Sequence, residues 1–107
     1  MKEEEVVKAL AALGQAQRLK IFRALVVAGQ AGLTPGVIAE GMGMPAATLS
    51  FHLKELAAAG LITQERLSRN LIYRVAYDRM SEVLAFLTEN CCQGDECVVS
   101  TVTACKV

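Results

Sequence analysis

Four cysteines stand in the last 17 residues of this 107-residue chain, at Cys91, Cys92, Cys97 and Cys105, and none precedes them. Thiols gathered this way can bind a soft metal, exchange electrons or form a disulfide. A bond between Cys91 and Cys92 would close a strained ring, because neighbouring Cα atoms sit only about 3.8 Å apart across a trans peptide. Soft ions select thiolates, and geometry separates the ions further. As(III) and Sb(III) keep a lone pair and favour a three-sulfur pyramid. Cys91, Cys92 and a Cys97 that returns after Gln93-Gly94 can supply those sulfurs within one chain. A structural zinc site takes four ligands, usually from two Cys-x-x-Cys-like pairs, and an adjacent Cys-Cys matches that poorly. A fourth thiol from Cys105 keeps Zn(II), Cd(II) and Pb(II) open, and thiol redox switching stays open as well.

The compartment decides what free thiols mean. Met1-Lys2-Glu3-Glu4-Glu5 is acidic where a secretory signal is basic. The apolar runs are far too short to cross a bilayer. The expected location is therefore the cytoplasm, with no membrane partner. There, clustered cysteines are more often metal-binding or redox-active than structural. Net charge is formally zero, but it is unevenly spread. From Arg18 to Arg79 there are eight basic residues and four acids, so the middle carries +4 and the two ends together −4. A basic middle allows a DNA-facing surface on a protein that is not basic overall.

The order of elements positions that surface. Val6, Leu10 and Leu13 recur at helical spacing in a first amphipathic helix that Gly14 breaks. Leu19, Phe22, Leu25 and Val26 continue the period in a second helix, which ends near Gly29. Thr34-Pro35 reads as an N-cap followed by proline at the first helical position, opening a short helix from Gly36 to about Gly41. After the Gly41-Met42-Gly43-Met44 turn, Pro45 opens a helix over Ala46 to Ala59, closed by Gly60. Leu61 to Arg66 and Asn70 to Val75 are rich in β-prone residues and bracket Leu67-Ser68-Arg69, which predicts a hairpin. Asp78 is the expected cap of a last helix reaching about Asn90, with Met80, Val83, Leu84 and Leu87 at helical spacing. The expected fold is mainly α with a β-hairpin, a winged helix-turn-helix in the order α-α-α-α-β-β-α. Residues 1–90 would be the DNA-binding and dimerisation domain and residues 91–107 a cysteine-containing sensor tail.

On the helix from Ala46, Leu49, Leu53 and Leu56 share the core face. Ala47, Phe51 and Lys54, flanked by Thr48 and Ser50, face outward, where a recognition helix enters the major groove. Hydroxyls there reach base edges or phosphate, and apolar side chains reach thymine methyls. Phe51 either touches DNA or packs under the hairpin. His52, the only histidine, lies at the edge of the core face and reads either as a packed residue bonded to a neighbouring helix or loop, the favoured reading, or as a DNA contact. Arg66, Arg69 and Asn70 at the hairpin tip, with Arg74 behind, suit phosphate or minor-groove contact.

The run Ala47-Thr48-Leu49-Ser50-Phe51-His52-Leu53-Lys54-Glu55-Leu56-Ala57-Ala58-Ala59-Gly60-Leu61-Ile62 resembles the ArsR–SmtB family of metalloregulatory repressors. So do Arg18-Leu19-Lys20-Ile21 upstream and Leu71-Ile72-Tyr73-Arg74-Val75 downstream. The resemblance spans roughly residues 5 to 92. It implies a homodimer joined through its first and last helices that leaves double-stranded operator DNA when an inducer binds. One family subgroup places thiols at the start of the recognition helix, where Gly41-Met42-Gly43-Met44-Pro45 has none. Another uses His, Asp and Glu on the last helix, which here lacks histidine. An arsenic-responsive subgroup carries a vicinal Cys-Cys and a further Cys beyond the last helix, and Cys91, Cys92 and Cys97 look like that.

The function expected is an arsenite- or antimonite-responsive repressor, with As(III) or Sb(III) as inducer and no catalytic cofactor. The alternatives are a sensor of Zn, Cd or Pb, a thiol redox sensor of the same fold, and a metal-buffering protein that ignores DNA. No nucleophile–base arrangement, phosphate loop or acid pair suggests an enzyme.

Overall fold

The computed structural model describes residues 1–94. Its order is α1 (Glu3–Leu13), α2 (Ala16–Ala28), α3 (Pro35–Met42), α4 (Ala46–Ala58), β1 (Ile62–Leu67), β2 (Asn70–Val75) and α5 (Tyr77–Leu87). Short 3₁₀ turns follow α2 at Gly29–Ala31 and follow α5 at Cys91–Gly94. This is the winged helix-turn-helix order expected from the sequence.

Local chemistry sets most boundaries. Three glutamates fill the first turn of α1, where negative charge meets the positive end of the helix dipole. The Lys2 backbone amide donates to the Glu5 carboxylate at 3.0 Å. The Gln15 side chain caps α2 by accepting from the Arg18 amide at 2.9 Å. Thr34 caps α3 by accepting from the Val37 amide at 3.3 Å, with Pro35 directly after it. Gly43 closes α3 in the left-handed conformation, at φ 63°, which a residue with a Cβ rarely adopts.

Three expectations change. Leu10 and Leu19, expected on the core faces of α1 and α2, are both exposed, Leu10 at 43%. The buried line of α1 is Val6, Ala9 and Ala12, since α1 packs against α2, α4 and α5 and small side chains permit the approach. The hairpin turn is Ser68-Arg69 rather than a three-residue turn, so β1 runs one residue further, to Leu67 opposite Asn70. Ser68 takes φ 60°, supplying without glycine the positive angle that tight hairpin turns need. Asp78 does not cap α5. Ala76 holds that position without a side-chain bond, Asp78 lies within the first turn, and α5 ends at Leu87.

The core is one cluster, with Ile21, Leu25, Leu49, Leu56 and Leu61 fully buried at its centre. The hairpin is fastened to it. Leu33 and Tyr73 exchange backbone hydrogen bonds at 3.0 and 2.8 Å. Gly32 allows this approach, because a Cβ there would lie 2.6 Å from the Tyr73 carbonyl oxygen. Arg74 donates from Nε to the Gln30 carbonyl and from Nη1 to the Glu65 carboxylate, each at 2.6 Å. The base of the wing is thereby held to the loop before α3.

Candidate nucleic-acid interface and thiol pair

Helix α4 presents two chemically distinct faces. Leu49, Leu53 and Leu56 are buried as expected. Ala47, Thr48, Ser50, Phe51 and Lys54 are all exposed. Phe51 is 55% exposed, so it does not pack under the hairpin. Its ring is accompanied instead by Arg18, whose guanidinium carbon lies 5.9 Å from the ring centroid, within cation–π range.

His52 is buried, at 5% exposure, and bonded to a neighbouring helix as the sequence suggested. Arg18 Nε donates to His52 Nδ1 at 3.2 Å, and His52 Nε2 lies 3.1 Å from Gln17 Oε1. A guanidinium cannot accept a hydrogen bond, so Nδ1 is the acceptor and Nε2–H donates to Gln17. Both ring nitrogens of a neutral imidazole are thus satisfied, and no buried side-chain N or O among the described residues lacks a partner. The network fixes the rotation of α4 about its own axis relative to α2. Arg18 stands in the sequence as part of the basic middle and of the family-like Arg18-Leu19-Lys20-Ile21 run, but nothing there pairs it or Gln17 with His52.

At the wing tip Arg66, Arg69 and Asn70 are exposed. Arg74 is half-buried, its charge paired with Glu65. Among the described residues, the cationic side chains of the tip without an ion pair are therefore Arg66 and Arg69, while Arg74 holds the hairpin in place.

A second unforeseen contact lies at the other end of α4. Arg79 of α5 covers Gly60, where a Cβ would meet its Nε at 2.8 Å, and it pairs with Glu5 of α1 at 3.5 Å. The hydrogen bond from the Lys2 amide, and then the nearby Arg79 charge, hold the Glu5 carboxyl below its ordinary range.

The thiol pair stands just beyond α5. The Cys91 amide donates to the Thr88 carbonyl at 3.0 Å, and Cys91 and Cys92 begin the closing 3₁₀ turn. Cys91 is half-buried and Cys92 exposed. Cys97 and Cys105 lie outside the described residues. Among the described residues no group of three or more His, Cys, Asp or Glu side chains could hold a metal ion. No helix among them is long and apolar enough to cross a membrane.

The fastened wing and the outward face of α4 define a winged helix-turn-helix protein. A helix-turn-helix domain model matches residues 13–65. An ArsR-like transcriptional regulator from Rhodococcus sp. RHA1 superposes with a TM-score of 0.74 at 22% identity, over 94% of this chain and 89% of that one. A Mycobacterium bovis transcriptional regulatory protein superposes at 0.64 with 27% identity, over 79% of this chain and 89% of that one. Its solution structure is described as the homodimeric winged helix-turn-helix DNA-binding domain of "a possible ArsR-family transcriptional regulator". A regulator ascribed to arsenical resistance superposes at 0.65 with 19% identity, over 94% of this chain and 98% of that one. No curated protein matches the chain. The chain carries a helix-turn-helix domain and has the winged helix-turn-helix fold of ArsR-like transcriptional regulators.

Proposed function

We propose that the chain is a repressor that binds operator DNA as a homodimer and leaves it when As(III) or Sb(III) binds Cys91, Cys92 and Cys97. The observation that carries this reading is a vicinal thiol pair, one member exposed, placed directly after the helix that packs on α1. The donor set suits the ion, since three thiolates match a pyramidal, lone-pair-bearing centre, and no histidine or carboxylate joins the pair among the described residues.

Two further features support the reading. The exposed face of α4 offers hydroxyls, an aromatic ring and one lysine to a major groove, and the tip offers Arg66 and Arg69 to phosphate. Val7 and Leu10 on α1 and Leu87 on α5 stay exposed, as a protomer with a partner to cover them requires. The homodimeric Mycobacterium bovis relative shares the fold. In a dimer two copies of α4 reach successive major grooves about one turn apart. Closing the sensor tail around As(III) changes how the last helices meet and spoils that spacing. By reciprocity of linkage, an inducer that favours the DNA-free form binds it more tightly.

Fluorescence anisotropy on a labelled upstream duplex tests this, using reduced protein and titrating arsenite and then zinc. Release by arsenite should be lost in Cys91→Ser, Cys92→Ser and Cys97→Ser and kept in Cys105→Ser. A response to zinc alone, or a need for Cys105, reassigns the sensor to a four-thiolate metal. No binding to any duplex sinks the repressor reading.

A further inference from the structure

The DNA-binding reading leaves open what α4 recognises, and Phe51 constrains the answer. Its ring stands in solvent at 55% exposure, between Ala47 and Lys54 on the outward face. It is also braced. Arg18 lies 5.9 Å from the ring centroid while its Nε is engaged by His52, and the His52 ring sits 5.7 Å from the Phe51 ring at 59°. His52 is in turn held by Gln17 at 3.1 Å. A part-buried polar network between α2 and α4 therefore braces an apolar ring on the outward face.

A phenyl ring neither donates nor accepts a conventional hydrogen bond. It cannot read the N7, O6, N6, N4 or O4 groups that distinguish base pairs in the major groove. The one apolar base feature there is the thymine 5-methyl group. We propose that Phe51 is a specificity-determining residue that recognises a thymine 5-methyl in each half-site, with Arg18 as its positioning residue. The inference rests on the DNA-binding reading and not on arsenic sensing. Arg18 limits the motion the ring would otherwise lose on binding. Thr48, Ser50 and Lys54 remain for hydroxyl and phosphate contacts.

Deoxyuridine differs from thymidine only by lacking the methyl, so it isolates this contact. A duplex bound by the reduced full-length chain is selected from a random pool, and each thymine of the protected half-site is replaced singly by deoxyuridine. One position should weaken binding about fourfold, the worth of one buried carbon group. Replacement in both half-sites should weaken it about fifteenfold. Phe51→Ala should bind the thymine duplex more weakly and bring the thymine-to-deoxyuridine ratio to about one. Phe51→Leu, which keeps an apolar group, should hold an intermediate ratio. Arg18→Gln should lower the ratio whatever it does to overall affinity, and circular dichroism checks that each variant is folded.

Unchanged affinity at every deoxyuridine position overturns the proposal while leaving DNA binding intact. So does a ratio that survives in Phe51→Ala. A full ratio in Arg18→Gln removes the positioning role. Failure to select any duplex overturns the DNA-binding reading itself, which keeps the two failures distinct.

Discussion

The two candidate regions, helix α4 and the thiol turn, are held in opposite ways. Helix α4 is over-determined: three leucines are buried beneath it, His52 is bonded through both ring nitrogens, and Arg79 covers its far end at Gly60. The thiol region rests on a short 3₁₀ turn, with Asn90 and Cys92 in left-handed backbone and Cys92 facing solvent. Reading DNA needs side chains already in place, because ordering them during binding costs affinity. Sensing a small ion is better served by a site the ion itself completes, because the change in order is then the signal.

Substitutions can break or sharpen this contrast. Leu56→Ala, at 0% exposure in the middle of α4, should cost about 3 kcal/mol in urea unfolding. Leu87→Ala, at 54% exposure near the end of α5, should cost under about 0.5 kcal/mol in a dissociated protomer. A larger loss that grows with protein concentration would place Leu87 at the subunit contact. His52→Leu keeps the buried volume apolar but strands Arg18 Nε and Gln17. It should cost about 1 kcal/mol and speed hydrogen exchange of the α4 amides. Unchanged exchange would mean the leucines alone hold the helix. Cys92→Ser should leave the urea midpoint within about 0.5 kcal/mol of wild type while ending release by arsenite. A large folding defect there would contradict the view of the thiol turn as loosely held.

The smallest effect concerns pH. The folded-state value for Glu5 is lowered from its ordinary 4.5. The stability it contributes is therefore present above that value and lost as pH falls through the lower, folded one. Thermal melts of wild type and Glu5→Gln should converge as the buffer is taken below pH 4.5, and the variant should be the less stable near neutrality. Parallel curves across that window would show that the Lys2 and Arg79 contacts add nothing to folding.

Elements with local punctuation were legible in the sequence. Thr34, Pro35, Gly43 and Pro45 frame the helix-turn-helix because capping and backbone preference act within a few residues. The outward face of α4 followed from helical period alone. The misplaced features depend on distant partners or on unusual backbone. Leu10 fits a helical stripe as well as Ala9 does, and only the neighbours of α1 decide which is buried. Nothing in the residue type of Ser68 announces φ 60°, so the hairpin turn was read one residue long. The partners of His52 lie 34 and 35 residues away in sequence, beyond any local pattern. For the thiols, composition and position were plain in the sequence, while Cys97 and Cys105 fall outside the described residues.

Arg79 gives α5 the proportions of a lever. At 1.5 Å per residue, roughly 12 Å of helix separates it from Leu87, the last residue of α5 before the thiol turn. A tilt of about 5° pivoting at the thiol end carries Arg79 by about 1 Å, by the same helical rise. The Arg79 guanidinium, the flexible end of its side chain, rests against Gly60, where a Cβ would sit 2.8 Å from Nε. The glycine that follows α4 is thus the point where the lever touches that helix, and any side chain there would have to push the Arg79 guanidinium aside at a backbone φ of 78°.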